Sequence, residues 1–323
     1  MTREPGTDDD LESFRPELTR FCYRMLGSIF DADDAVQDTM LRAWQHWDEL
    51  RGGSRRAWVH RIATNVCLDK LRATGRRALP MELQGPTEPI SVPVETLPTE
   101  NWVWPAPDSA LGTPSDPAEA AVYRETIRLA FVAALQLLPG RQRAALILRD
   151  VFRWSAAETA VIMGTSTAAV NSALQRAHAT IARERPTGDG LMVPDASPDP
   201  SLLDRYVTAF LKMDIPALVA LFEEDGSLSM PPFAMWVQGR DNLAAFYRAT
   251  AFHCRGSRLI PVSVNGVPAF AQYSPSEDGT HLAPWGIHVP EARGGLLVHV
   301  HTFIDPALYT RFGLPNQLAP EAV

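Results

Sequence analysis

The chain has 323 residues, 46% of them hydrophobic and 21% charged, and a formal net charge of −8. That length suits two or three domains with separate cores. Three scattered cysteines (Cys22, Cys67, Cys254) exclude a disulfide framework or a zinc site. With no signal peptide and no bilayer-spanning apolar run, a cytoplasmic protein without a membrane partner is expected.

The negative total divides unevenly along the chain. Residues 11–77 come to about +3, 78–122 to about −7 and 123–186 to about +5. Two locally basic blocks in an acidic protein are the footprint expected of nucleic-acid contact.

The first block carries three helical patterns: Phe14, Leu18, Phe21, Met25 and Leu26; then Val36, Met40, Trp44 and Trp47; then Val59, Ile62, Val66 and Leu71. Asp31, Asp33, Asp34 and Asp38 crowd the start of the middle helix, where they favour the positive end of its dipole. The third helix is basic, with Arg55, Arg56, Arg61, Lys70 and Arg72 facing only Asp69, and it interleaves Trp58, His60 and Asn65. Cations hold phosphates, while an aromatic ring and an amide stack on or hydrogen-bond an extruded base.

Residues 80–120 hold nine prolines and seven acids without a Lys or Arg, which predicts an extended linker. Trp102 and Trp104 are unusual for a passive tether. In the second basic block, Ser155 and Glu158 form a capping box, Gly164 supplies a left-handed stop and Ser166 caps a second helix. The apolar face Val170, Leu174, Ala177 and Ile181 leaves Thr167, Asn171, Gln175, Arg176 and His178 opposite. This is a helix-turn-helix able to enter a major groove, although such a pattern alone also fits an ordinary helical hairpin. A break rich in Pro, Gly and Asp follows at 187–200. Beyond it, helices at Leu202–Leu211, Ile215–Phe222 and Asn242–Phe252 mix with β-like runs at Gly226–Met230, Arg258–Val264, Ala269–Tyr273, Pro284–Val289 and Gly295–Ile304. Helices followed by antiparallel strands predict an α+β domain with a curved sheet.

DADDAVQDTMLRAWQHW (31–47) followed by RAWVHRIATNVCLDKLR (56–72) resembles region 2 of a bacterial extracytoplasmic-function sigma factor, and the helix-turn-helix resembles its region 4. GSLSMPPFAMWVQGRDNLAAFY and HTFIDPALYTRFGLP resemble the SnoaL-like cone that one actinobacterial group of these factors appends. The resemblance implies a multidomain chain: region 2 at 11–79, a linker at 80–120, region 4 at 121–186, a hinge at 187–200 and a SnoaL-like α+β domain at 201–314. It implies core RNA polymerase and promoter DNA as partners. Asp31, Asp34, Asp38 and Trp44 would dock on polymerase. Trp58, Arg61, Asn65, Lys70 and Arg72 would engage the melted −10 element, and Ser166, Thr167, Asn171, Gln175 and Arg176 the −35 element. The acidic linker would thread the RNA-exit path. Many members carry cations where this chain has Asn171, Ala173 and His178, so a weaker and less salt-sensitive −35 contact is expected.

The cone is expected to enclose an apolar pocket involving Met230, Trp236 and Trp285, with a small ligand as a candidate partner. His299 and His301 alternate along one strand and so point the same way, and with Asp225, Asp241 and His288 they are the candidates for acid–base work or a metal. Lacking an obvious third ligand, they read better as structural. No metal, cofactor or catalysis is expected, and a regulatory domain is the favoured reading. The competing functions are a SnoaL-like small-molecule enzyme fused to a DNA-binding head, and a one-component regulator of duplex DNA.

Overall fold

Ser28, Ser54, Ser155 and Asp199 each stand one residue before a helix and cap it with a side-chain oxygen, so much of the helical framework starts where short polar side chains dictate. The computed structural model describes residues 10–47, 54–88, 96–112, 123, 125–184 and 198–320. It divides into two compact units, Met1–Arg77 with Val103–Val193, and Ala78–Trp102 with Pro194–Val323. The division cuts through the proline-rich linker. The expected hinge lies outside the described residues as far as 197.

Among the described residues the first unit is helical. Its helices are α1 (Arg15–Leu26), α2 (Ile29–Gln45), α3 (Arg55–Ala73), a short α4 (Asp108–Leu111), α5 (Leu129–Gln136), α6 (Gly140–Leu146), α7 (Ala156–Met163) and α8 (Thr167–Glu184). Leu18, Phe21, Met25, Val36, Met40, Val59 and Val66 are buried, as their helical spacing predicts. α1 stops at Gly27, which has φ +70°, and a Cβ there would stand 2.8 Å from the Gln136 side chain. A larger residue would therefore be both strained and obstructed.

Two arginines tie α1 to the later helices of this unit. Arg143 is buried, and its guanidinium donates to the Met25 carbonyl, the Gln136 side chain and the carbonyls of Gln136 (3.1 Å) and Leu138 (3.0 Å). Arg24 donates to the carbonyl (3.0 Å) and hydroxyl (2.8 Å) of Thr126. Burial pulls both guanidinium groups down to about 9, and the carbonyl cages offset that loss of water. His60 does not share the exposed basic face of α3. It is fully buried, edge-on to Phe21 and Phe152 and tilted against Trp154.

Linker residues from 103 onward also join this unit. The Trp104 amide donates to Gly27 (2.9 Å), the Tyr23 hydroxyl donates to the Trp104 carbonyl (3.0 Å), and the indole is 1% exposed. Among its described residues the linker forms only short helical turns. What proline does not prevent is docking, because an indole buried among aromatic rings supplies the apolar area that the acidic residues lack.

The second unit is built on a six-stranded sheet: β1 (Phe222–Ser229), β2 (Trp236–Gln238), β3 (Arg258–Val264), β4 (Val267–Pro275), β5 (Leu282–Arg293) and β6 (Leu296–Phe303), in the order β2-β1-β6-β5-β4-β3. The sheet is mixed, because β1 and β6 pair in parallel. The strand pattern in the sequence predicts a run of antiparallel strands; the long excursion from β1 to β6 is what permits a parallel pair. Helix α9 (Pro200–Lys212), the short α10 (Ile215–Val219) and α11 (Arg240–Cys254) complete the domain with a terminal turn, α12 (Ala307–Arg311). Leu203, Tyr206 and Phe210 of α9, Leu243 and Phe246 of α11, and Leu228, Phe270 and Val300 of the sheet form one core. The result is an α+β domain, as the helix and strand patterns predict.

Candidate functional site

α2 and α3 present two adjoining surfaces of different chemistry. On α2, Val36 and Met40 turn inward, whereas Asp34 and Asp38 are exposed beside Leu41 (55% exposed) and Trp44 (46%). Large apolar side chains left open next to carboxylates suit a partner offering both apolar and cationic groups. Asp31 is placed differently. Its carboxylate pairs with the buried Arg77 just beyond α3, fastening the two helices together. Lys70 lies 4.0 Å from Asp34, so the acidic and basic surfaces meet there.

On α3, Arg61, Asn65 and Arg72 are exposed and Trp58 is half-buried. Helical spacing stacks Trp58, Arg61, Asn65 and Arg72 along one side, with Val59, Ala63 and Val66 buried on the other. Trp58 packs edge-on to Trp47 (6.1 Å between centroids), which fixes the plane of its ring, and Arg72 holds Asp69 at 2.7 Å.

The helix-turn-helix forms as its residues predict. The Ser155 hydroxyl accepts from Glu158 N–H (3.2 Å) while the Glu158 carboxylate accepts from Ser155 N–H (2.8 Å). Gly164 is left-handed at φ +59°, and the Ser166 hydroxyl accepts from Ala169 N–H (3.2 Å). On the recognition helix α8, Ser166, Thr167, Asn171, Gln175 and Arg176 are all exposed. Arg176 is steadied by Ser172 (2.5 Å), and His178 is drawn aside to Asp150 (2.6 Å).

In the second unit a cavity of about 370 Å³ opens between α9, α11 and the sheet. Met230 and Trp285 line it; Trp236, His299 and His301 do not. Thr302 and Ile304 face the cavity, so strand alternation turns His299 and His301 to the reverse face. There the His299 ring bonds Ser227 (2.6 Å) and Ser229 (3.0 Å), and His301 bonds Ser229 (3.0 Å). Burial and the neighbouring His301 push His299 well below the usual histidine range. Asp225 and Asp241 are exposed and likewise outside the lining. Two histidines line the cavity: His253, exposed near the end of α11, and His288, with one ring nitrogen on the Tyr206 hydroxyl (2.8 Å) and the other on the Gln272 side chain (2.8 Å). Burial lowers it to about 3, so it stands neutral and fully engaged. Nothing local in the sequence marks Gln272 or Tyr206; strand pairing brings the first to His288, and the packing of α9 on the sheet brings the second.

Comparison with known proteins decides the family. Residues 11–77 match the model for Sigma-70 region 2 and residues 128–181 that for Sigma-70, region 4. Over 311 residues, 95% of this chain and 83% of the relative, the sequence is 43% identical to the ECF RNA polymerase sigma factor SigG of Mycobacterium tuberculosis. The chain belongs to the ECF RNA polymerase sigma factors. It is also 29% identical to the ECF sigma factor SigJ of the same organism, over 73% of this chain and 70% of SigJ. The crystal structure of M. tuberculosis SigJ shares the fold with a TM-score of 0.60 at 24% identity, covering 95% of this chain and 99% of that one. As a sigma factor, the protein directs promoter-specific initiation by RNA polymerase. No helix among the described residues is long and apolar enough to cross a membrane.

Proposed function

We propose that the exposed face of α2 docks on core RNA polymerase, that α3 engages the separated −10 strand, and that α8 reads the −35 duplex. The observation that carries this reading is the juxtaposition on region 2 of an acidic face holding Leu41 and Trp44 with a basic face holding Trp58, Arg61 and Asn65. A regulator of intact duplex has no use for the second face; a protein that stabilises melted strands needs it. The C-terminal domain then tunes this activity rather than catalysing a reaction. What favours tuning is the state of His288, whose two nitrogens are already engaged and whose burial keeps it uncharged at neutral pH.

Transcription in vitro with purified core polymerase tests the whole reading. Run-off product should depend on added sigma factor and on the −10 and −35 sequences of the template. Duplex binding that occurs equally with and without core enzyme, and no transcript, would replace it by a one-component regulator. Turnover of a small molecule by the C-terminal domain would replace the tuning role by an enzymatic one.

A further inference from the structure

One wall of the C-terminal cavity is the loop from β1 to β2, and that loop faces two ways. Met230, Phe233 and Met235 line the cavity. The backbone of the same segment is bonded to the linker between regions 2 and 4. Leu97 N–H donates to the Pro232 carbonyl (3.1 Å), Thr87 N–H to the Trp236 carbonyl (2.7 Å), and the Trp236 indole to the Gln84 carbonyl (2.8 Å). The Gln84 side chain donates to the Ala234 carbonyl, and Thr96 forms a bridge with Phe233. All of these residues belong to the second compact unit.

We propose that the cavity binds a neutral, largely apolar small molecule carrying an acceptor oxygen, and that its occupancy sets how firmly the β1–β2 loop grips Gln84, Thr87, Thr96 and Leu97. The inference rests on the tuning role given above to the C-terminal domain and supplies its input. The volume lies in the range of small-molecule sites. The described lining residues include no Asp, Glu, Lys or Arg, and His253 is exposed to solvent, so the buried lining offers an ionic ligand no fixed counter-charge. Cys254 at the wall is held as a thiol by burial, and His288 is neutral. Tyr247 supplies the polar handle. It lines the cavity, and its buried hydroxyl makes no hydrogen bond of good geometry, because the Tyr206 hydroxyl beside it is committed to His288. A buried donor left unpaired is the complement of a carbonyl or ether oxygen.

Coupling follows from sharing one loop. A ligand shifts a conformational equilibrium only through unequal contact with its two states. Here three of the side chains it would touch hang from the backbone that holds Thr87 and Leu97, so a filled cavity favours the loop arrangement that grips the linker.

The test uses the full chain with Prodan, a neutral naphthalene ketone whose emission reports polarity and hydrogen bonding at its carbonyl. Saturable, blue-shifted emission is expected. Binding should weaken about tenfold or more on Met230→Asp, which places a charge in the lining, and on Thr250→Trp, which fills the mouth. The anionic dye 8-anilinonaphthalene-1-sulfonate should not compete. Because either variant can disturb folding, Tyr247→Phe provides the second measurement: it keeps the ring and should shift the bound-dye emission further to the blue. Amide exchange in peptides covering Thr87 and Leu97 should slow when Prodan binds. Emission that does not saturate, binding indifferent to Met230→Asp and Tyr247→Phe, or efficient competition by the anionic dye would overturn the site. Saturable binding with unchanged exchange at Thr87 and Leu97 would overturn the coupling. If transcription still responds to loss of the domain after either result, the tuning role survives and only the ligand or its link to the linker falls.

Discussion

Asn65 stands exposed on α3 between Arg61 and Arg72, with an amide that can donate and accept at once. A well-placed pair of hydrogen bonds to a base is worth about 1–3 kcal/mol of discrimination. Asn65→Ala should therefore lose selectivity at one −10 position by roughly 5- to 150-fold while association with core polymerase is unchanged. A complete scan of −10 bases in transcription assays checks this; identical preferences in mutant and wild type would assign the reading elsewhere. At His288 the prediction concerns pH. Burial lowers it from 6.5 to about 3 in the fold, so between those values the unfolded chain binds a proton that the folded chain refuses. Stability is then unaffected above pH 6.5 and lost as pH falls below it, by about 1.4 kcal/mol per pH unit, and the depressed His299 acts in the same direction. Urea midpoints for the C-terminal domain should drop between pH 7 and pH 5, and His288→Gln should flatten that slope. A midpoint that stays level in the wild type would show that these histidines are not excluding protons.

At the level of elements, α2 offers a clean separation between folding and docking. Trp44 is 46% exposed, so truncating it removes little from the core of region 2. An aromatic anchor at an interface commonly contributes about 2 kcal/mol or more. Trp44→Ala should weaken core-polymerase binding roughly thirtyfold with an unchanged melting temperature, and Asp38→Lys should slow association in a salt-dependent way. Asp34→Lys is a poorer probe because it would set two cations together at Lys70. Full-strength binding by the folded Trp44→Ala protein would remove α2 as the anchor. The helix-turn-helix was legible in the sequence because its signals are local: Ser155, Glu158, Gly164 and Ser166 each act on a group three or four residues away. The linker was not, since its partners are remote, as with the Trp236 indole on Gln84 across 152 residues. Trp102 and Trp104 did hint that something would cover them. The histidine pair failed for a third reason. Alternation shows that His299 and His301 share a face, but which face is set by register, and β5 against β6 shifts between Glu291 and Ala292.

On the scale of the whole molecule, the chain between regions 2 and 4 is divided between two units: residues 78–102 belong with the C-terminal domain, and those from 103 onward with the helical one. Removing the C-terminal domain is therefore not the removal of an appendage. It deletes the carbonyl partners of Leu97 and Thr87 and with them the loop that holds both residues. Truncations ending at Arg185, at Pro200 and after Leu211 should all leave the chain at Thr87 and Leu97 open to protease, with a red-shifted tryptophan emission as Trp102, fully buried in the intact chain, meets water. Their promoter-specific transcription, measured at equal amounts of core-bound protein, should differ from that of the full chain. Coupling between sites typically amounts to about 1–3 kcal/mol, which corresponds to a change of roughly 5- to 150-fold. The three endpoints separate two sources of that change. If only the released linker matters, all three variants behave alike, because each lacks the β1–β2 loop. If α9 contributes on its own, the variant ending after Leu211 stands apart, because it retains nearly all of that helix. Activity equal to the full chain in all three would leave the C-terminal domain a passenger in initiation, whatever its cavity binds.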